Sequence, residues 1–274
     1  MSYQSALSVS RLNDYRSCPL KFRYRVIDRI SEPPSPAATR GTLVHSVLEH
    51  LYDLPPLDRT VANAHDMLTG RWDDLVSHDP SLETIFAETD QDRWFDSARS
   101  LLATYFQRED PTRLNPLPRN RERMITVELD AGVRFRGVID RLDVAPSGDM
   151  RVVDYKTGKM PGPAYQHEPL FQMRVYGLLL TKAEGRPPVQ SQLIYLGSND
   201  TMTYWTSADD ESATNTQIEA LWSAIQESMA SGFTPKKGPL CRWCSFQEIC
   251  PAFGGTPPEI SEQGLARLRQ VALD

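Results

Sequence analysis

A chain of 274 residues, 40% hydrophobic and 24% charged, with 15 glycines and 21 prolines, is long enough to bury a sizeable core and too balanced to be disordered, collagenous or low in complexity. Its longest apolar run, residues 175–180, falls far short of the roughly 20 residues that cross a bilayer, and residues 1–18 hold no apolar signal core, so we expect a cytoplasmic protein without a membrane partner. The net charge of −6 comes from one segment, residues 53–96, where eleven acids meet three bases; the remainder is slightly basic, and nucleic acid stays open as a partner.

In residues 1–40 seven bases (Arg11, Arg16, Lys21, Arg23, Arg25, Arg29, Arg40) stand against Asp14, Asp28 and Glu32. Apolar residues at helical spacing predict a helix over 41–52, and two more near 61–75 and 92–107 lie in the acidic stretch, which reads as a helical insert over 53–110. A second basic knot, Arg108, Arg113, Arg119, Arg121 and Arg123, surrounds a proline-rich link at 111–118, and both basic regions are candidates to face phosphates. Strand patterns follow at 124–129, 133–144 and 150–156, separated by turn residues at 130–132 and 146–149, so a meander is expected. A helix over 170–182, strands at 192–196 and 202–205, and an amphipathic helix over 214–229 complete the pattern of an α/β or α+β core with helical additions.

The chemistry concentrates in the second and third strands. Side chains in a strand alternate faces, so Asp154 and Lys156 point the same way, and a hairpin partner can set Asp140 beside them. Two carboxylates suit Mg²⁺ or Mn²⁺, and a nearby lysine can orient an attacking water, which is the chemistry of phosphodiester hydrolysis. His45, on the helix before, offers a nitrogen ligand, although a lone histidine is more often structural. Gln172 and Tyr176 share one helix face at i, i+4.

Taken in order, the run from Gly41 to His45, Gly-x-Ile-Asp-Arg at 137–141, Asp-x-Lys at 154–156 and Gln-x-x-x-Tyr at 172–176 resemble the RecB-like nuclease family of the PD-(D/E)XK superfamily across residues 8–253. The resemblance implies one restriction-endonuclease-like nuclease domain over 1–274 with a mixed central sheet. It implies His45, Asp140, Asp154 and the Tyr155 carbonyl as ligands of Mg²⁺ or Mn²⁺. Lys156 becomes the catalytic lysine, and Gln172 and Tyr176 support the site and contact DNA.

The four cysteines fall in two places, Cys18 and the group Cys241, Cys244 and Cys250, separated by 222 residues. Ligand count alone leaves structural zinc and an iron–sulfur centre both open. The arrangement is similar to that of iron–sulfur nucleases in the same superfamily, which include CRISPR adaptation nucleases and nuclease modules of recombination helicases; it implies a 4Fe-4S cluster joining 1–30 to 233–256. Tyr15, Phe22, Tyr24 and Trp243, interleaved with bases, are candidate stacking positions for single-stranded DNA, although rings beside a cluster also serve as packing. No Gly-x-x-x-x-Gly-Lys-Ser/Thr phosphate loop occurs, so any helicase would be a partner. The expected function is a metal-dependent DNA exonuclease of repair or recombination. The alternative is a catalytically silent DNA-binding or scaffolding subunit, and the oligomeric state is left open.

Overall fold

The computed structural model describes residues 5–130 and 132–272. Residues 1–4 of the expected cysteine region, and Ala131 in the turn expected at 130–132, lie outside the described residues. Helix α1 (Val9–Ser17) opens on Ser8, whose hydroxyl accepts the Arg11 amide N–H. Helix α2 (Pro19–Phe22) runs into a wide π-helical turn, Arg23–Asp28, that stops where Arg29 takes a left-handed conformation with φ 53°. Helix α3 (Pro36–Leu51) begins five residues earlier than its apolar periodicity predicts, because Pro36 at its first position is already shaped for a helix and needs no N–H partner there. Helices α4 (Val61–His78) and α5 (Gln91–Arg108) carry side-chain caps from Thr60 and Asp90, and a 3₁₀ segment, Pro80–Ala87, lies between them.

Strands β1 (Arg121–Leu129), β2 (Val133–Val144), β3 (Met150–Lys156), β4 (Gln190–Tyr195) and β5 (Asp200–Trp205) form one sheet in that spatial order. The expected meander is present as antiparallel β1, β2 and β3; β4 then pairs parallel with β3 after the crossover helix α6 (His167–Glu184), and β5 pairs antiparallel with β4. β1 starts three residues before its predicted position, since Arg121 and Arg123 take up cross-strand pairing despite their charge. Helices α7 (Asp210–Ser231) and α8 (Glu262–Arg269) complete the described chain. Among the described residues no helix is long and apolar enough to cross a membrane.

Both faces of the sheet are covered. On one, Val152, Ile139 and Phe135 pack with Tyr176 and Leu179 of α6, Trp222 of α7 and Leu265 of α8. On the other, Val153 and Tyr155 pack with Leu43 and Val47 of α3, Leu68 and Trp72 of α4 and Trp94 and Leu102 of α5. Successive β3 residues therefore serve opposite cores, which places Asp154 toward α6 while its neighbours face α3.

Two glycines test this packing in opposite directions. A Cβ at Gly264 in α8 would stand 2.1 Å from the Ile27 carbonyl oxygen, whereas one at Gly70 in α4 would meet nothing within 4 Å. Gly264→Ala should cost about 1–3 kcal/mol through forced separation of α8 from the π-helical turn, and Gly70→Ala should add about 0.5–1 kcal/mol through helix propensity. Chemical denaturation of the two variants reads both signs.

Candidate active site

The β2–β3 ladder runs from Val144 opposite Met150 to Arg141 opposite Val153 and stops there. One residue further, the strands part at Asp140 and Asp154. The Tyr155 amide N–H donates to Asp140 Oδ2 at 2.7 Å, so a side-chain carboxylate takes the place of a backbone acceptor. β1 changes faces at the same level: Arg123 bonds to Glu184 of α6, while Arg121 donates to the Glu49 carbonyl of α3. Between them Glu122 holds φ 43°, a left-handed conformation costly for a residue with a side chain.

This break gathers side chains from five elements. His45 of α3 places Nδ1 3.3 Å from Asp140 Oδ2 and 3.8 Å from Glu122 Oε1. One ligand atom each from His45, Glu122 and Asp140 lies within 4.8 Å of the others. From the opposite side α6 holds Asp154: its Oδ1 accepts from Tyr176 Oη at 2.6 Å and from Gln172 Nε2 at 3.1 Å. Its Oδ2, buried and without a hydrogen-bond partner of good geometry, stands 2.6 Å from Lys156 Nζ. A cleft of about 760 Å³ opens over His45, Glu49, Glu122, Tyr155, Lys156 and Tyr195.

Burial would by itself lower the His45 pKa, but bonds to Asp140 and Glu122 raise it to about 10. Burial and the charge of Asp154 lift Asp140 to about 6, against the pull of His45. Burial and Asp154 likewise keep Tyr176 well above its ordinary value, so its hydroxyl stays a donor to that carboxylate. Imidazole with carboxylates suits Mn²⁺ and admits Mg²⁺.

The profile of the PD-(D/E)XK nuclease superfamily matches residues 6–251. The chain belongs to this superfamily. This PD-(D/E)XK protein is 27% identical over 273 residues to Gene 69 protein of Mycobacterium phage D29, covering 90% of this chain and 96% of that one. It is 24% identical over 292 residues to Gene 69 protein of Mycobacterium phage L5, with the same coverage. A match spanning 45% of the chain is 30% identical over 128 residues to a subunit of the ATP-dependent helicase/deoxyribonuclease of Streptococcus mutans serotype c, of which it covers 11%. The crystal structure of a candidate exonuclease from Eubacterium rectale aligns with a TM-score of 0.57, covering 87% of this chain and 86% of that one at 15% identity, and shares the restriction-endonuclease-like fold.

In this PD-(D/E)XK fold, Asp140, Asp154, Lys156, Gln172 and Tyr176 converge, with His45 joining from α3. Glu122 was not anticipated from the sequence; its only signal lay in a run of arginines that reads as basic surface. The aromatic and basic readings need correction. Phe22 and Tyr24 are buried, Tyr24 donating to the Ile249 carbonyl at 2.9 Å, and Tyr15 donates to the Ala224 carbonyl; these rings pack instead of meeting bases. Lys21 and Arg25 pair with Asp14, Arg23 with Asp28, and Arg121 is buried against Glu49 and Asp53. Trp243, in contrast, is 64% exposed, with the Arg242 guanidinium 3.6 Å above its ring.

All four cysteines are half-buried and outside any disulfide. Lys236 N–H donates to Cys18 Sγ at 3.4 Å and Gly238 N–H to Cys241 Sγ at 3.3 Å, which brings the two distant cysteine segments to one place. Among the described residues no three of these sulfurs come within 4.8 Å of one another.

The charge state of His45 makes a pH prediction. With its pKa at about 10, an ion binding its ring nitrogen at neutral pH must displace a proton, and below about 6 Asp140 must lose one as well. Mn²⁺ affinity should rise about tenfold per pH unit between about pH 6.5 and 8.5, and more steeply below about pH 6. Calorimetry in buffers of different ionisation enthalpy should find about one proton released per ion at pH 8; a pH-independent affinity would take His45 out of the coordination.

Proposed function

We propose that this protein is a Mg²⁺- or Mn²⁺-dependent deoxyribonuclease that trims single strands or DNA ends during repair or recombination. The observation that carries the reading is the meeting of His45, Glu122 and Asp140, with the Asp154–Lys156 pair, beside an open cleft that His45, Glu122 and Lys156 line. His45, Glu122 and Asp140 would hold the divalent ion, and Asp154 and the Tyr155 carbonyl would be its further ligands from β3. The ion supplies positive charge against the phosphate and acidity to water. Gln172 and Tyr176 fix Asp154 from behind and leave its Oδ2 toward Lys156. Lys156 orients the attacking water and offsets the charge that develops on the phosphate oxygens. The exposed Trp243 under Arg242 supports a single-strand preference, since a base stacked on such a ring contributes about 1–3 kcal/mol. The similarity to part of a helicase/deoxyribonuclease subunit supports work beside a helicase.

Asp154→Ala and Lys156→Ala should each abolish cleavage of end-labelled single strands while leaving the fold and DNA binding largely in place. Wild-type rates in either metal-saturated variant would sink the site assignment. A folded wild-type protein that binds DNA but cuts neither single strands nor duplexes with Mg²⁺ or Mn²⁺ would instead favour the scaffolding alternative.

Cys18, Cys241, Cys244 and Cys250 are read as the ligands of a 4Fe-4S cluster joining the two ends of the chain. Amide donors to Cys18 and Cys241 suit thiolate ligands, and these contacts bring the N-terminal and C-terminal cysteine segments together. Protein purified without air should be brown and hold iron, and Cys→Ser at any of the four positions should remove the colour. Stoichiometric zinc without iron would decide against the cluster.

A further inference from the structure

Arg141 is almost fully buried at 1% exposure, directly after Asp140 in β2, and the mechanism above leaves it without a task. Its guanidinium grips Glu109 in a two-point fork, with both N···O distances at 2.8 Å, and Glu109 is the residue at which α5 ends. The same group donates to Tyr52 Oη at 2.9 Å, to Asp143 at 3.0 and 3.2 Å, and to Tyr155 Oη. Arg151 joins Asp143 and Glu109 from the outside, so two cations and two anions balance.

A buried charge network of this kind is weak evidence for stability, because well-packed apolar residues of the same volume commonly do as well. What it supplies here is geometry. Tyr155 is held twice across the parting strands, by its amide N–H on Asp140 and by its hydroxyl on Arg141. Its ring stands edge-on to His45, with centroids 6.1 Å apart. One clamp thus bears on Asp140, on the strand carrying Asp154, and on His45, and its far end is anchored in the helical segment through Glu109.

We propose that Arg141 is a positioning residue: by clamping Tyr155 to Glu109 it fixes the ligand geometry at His45 and Asp140, and so makes metal affinity depend on the docking of α5 against the sheet. The inference rests on the metal-dependent reading of the site. Outer partners of metal ligands set affinity without touching the ion, typically by about 10–100-fold.

The test is Mn²⁺ binding without DNA, read from the free-ion signal in electron paramagnetic resonance, with thermal unfolding of the metal-free proteins alongside. Tyr155→Phe keeps the ring and the backbone and loses only the hydroxyl; Glu109→Gln keeps the shape and loses the charge. Each should weaken Mn²⁺ binding about tenfold, and Arg141→Lys, which cannot make the fork, at least as much. Unchanged Mn²⁺ affinity in Tyr155→Phe and Glu109→Gln, with melting temperature lowered or not, would overturn the positioning role. Asp140→Asn separates the two levels: Mn²⁺ binding indifferent to it overturns the metal-site reading itself, whereas binding lost in Asp140→Asn but kept in Tyr155→Phe overturns only the clamp.

Discussion

A carboxylate oxygen of Asp140 takes the amide N–H of Tyr155 at the point where β2 and β3 stop pairing, and the candidate site depends on that one substitution. Had the ladder continued, Asp140 and Asp154 would stand in a closed sheet with their backbone groups satisfied by each other. Because it ends, the strands open a cleft at their ends, and the freed Tyr155 amide, which is buried, would be an orphan donor without the carboxylate. Asp140 is therefore both a structural acceptor and a candidate ligand, and replacing it disturbs both roles together.

The two covered faces of the sheet divide the work. From the α6 face, Gln172 and Tyr176 reach Asp154 through a core of aliphatic side chains that keeps water away from that carboxylate. From the α3 face, His45 reaches Asp140 and Glu122, and the helical segment behind it packs through an aromatic cluster of Trp72, Phe86, Trp94 and Phe95. The acidic surface of that segment is separated from the cleft, whose only lining residue from α4 is Leu75. In the proposed function, phosphate entering the cleft would meet Lys156 and His45 and not the acids that set the net charge.

Much of the site was legible because its residues obey two simple periods. Alternation along β3 puts Asp154 and Lys156 on one side, and the i, i+4 spacing along α6 does the same for Gln172 and Tyr176. Spacing alone left His45 as an option, and only the family resemblance made it a ligand, since its approach to Asp140 is a contact between a helix and a strand almost a hundred residues apart in sequence. Glu122 obeys no period: it reaches the site through a left-handed backbone conformation that interrupts the alternation. Charge misled for a related reason. Arg121 and Arg123 look alike in the sequence but face opposite sides of the sheet, and their partners Asp53 and Glu184 are distant along the chain. Phe22 and Tyr24 looked available to bases until the packing of the C-terminal segment against them was known.

The most direct test is the position of the ion. Anomalous diffraction from a crystal soaked in Mn²⁺ should place one strong peak within bonding distance of His45, Glu122 and Asp140, in the cleft beside Lys156. A peak bound elsewhere on the protein, or no peak in the cleft at Mn²⁺ concentrations that support cleavage, would contradict the account.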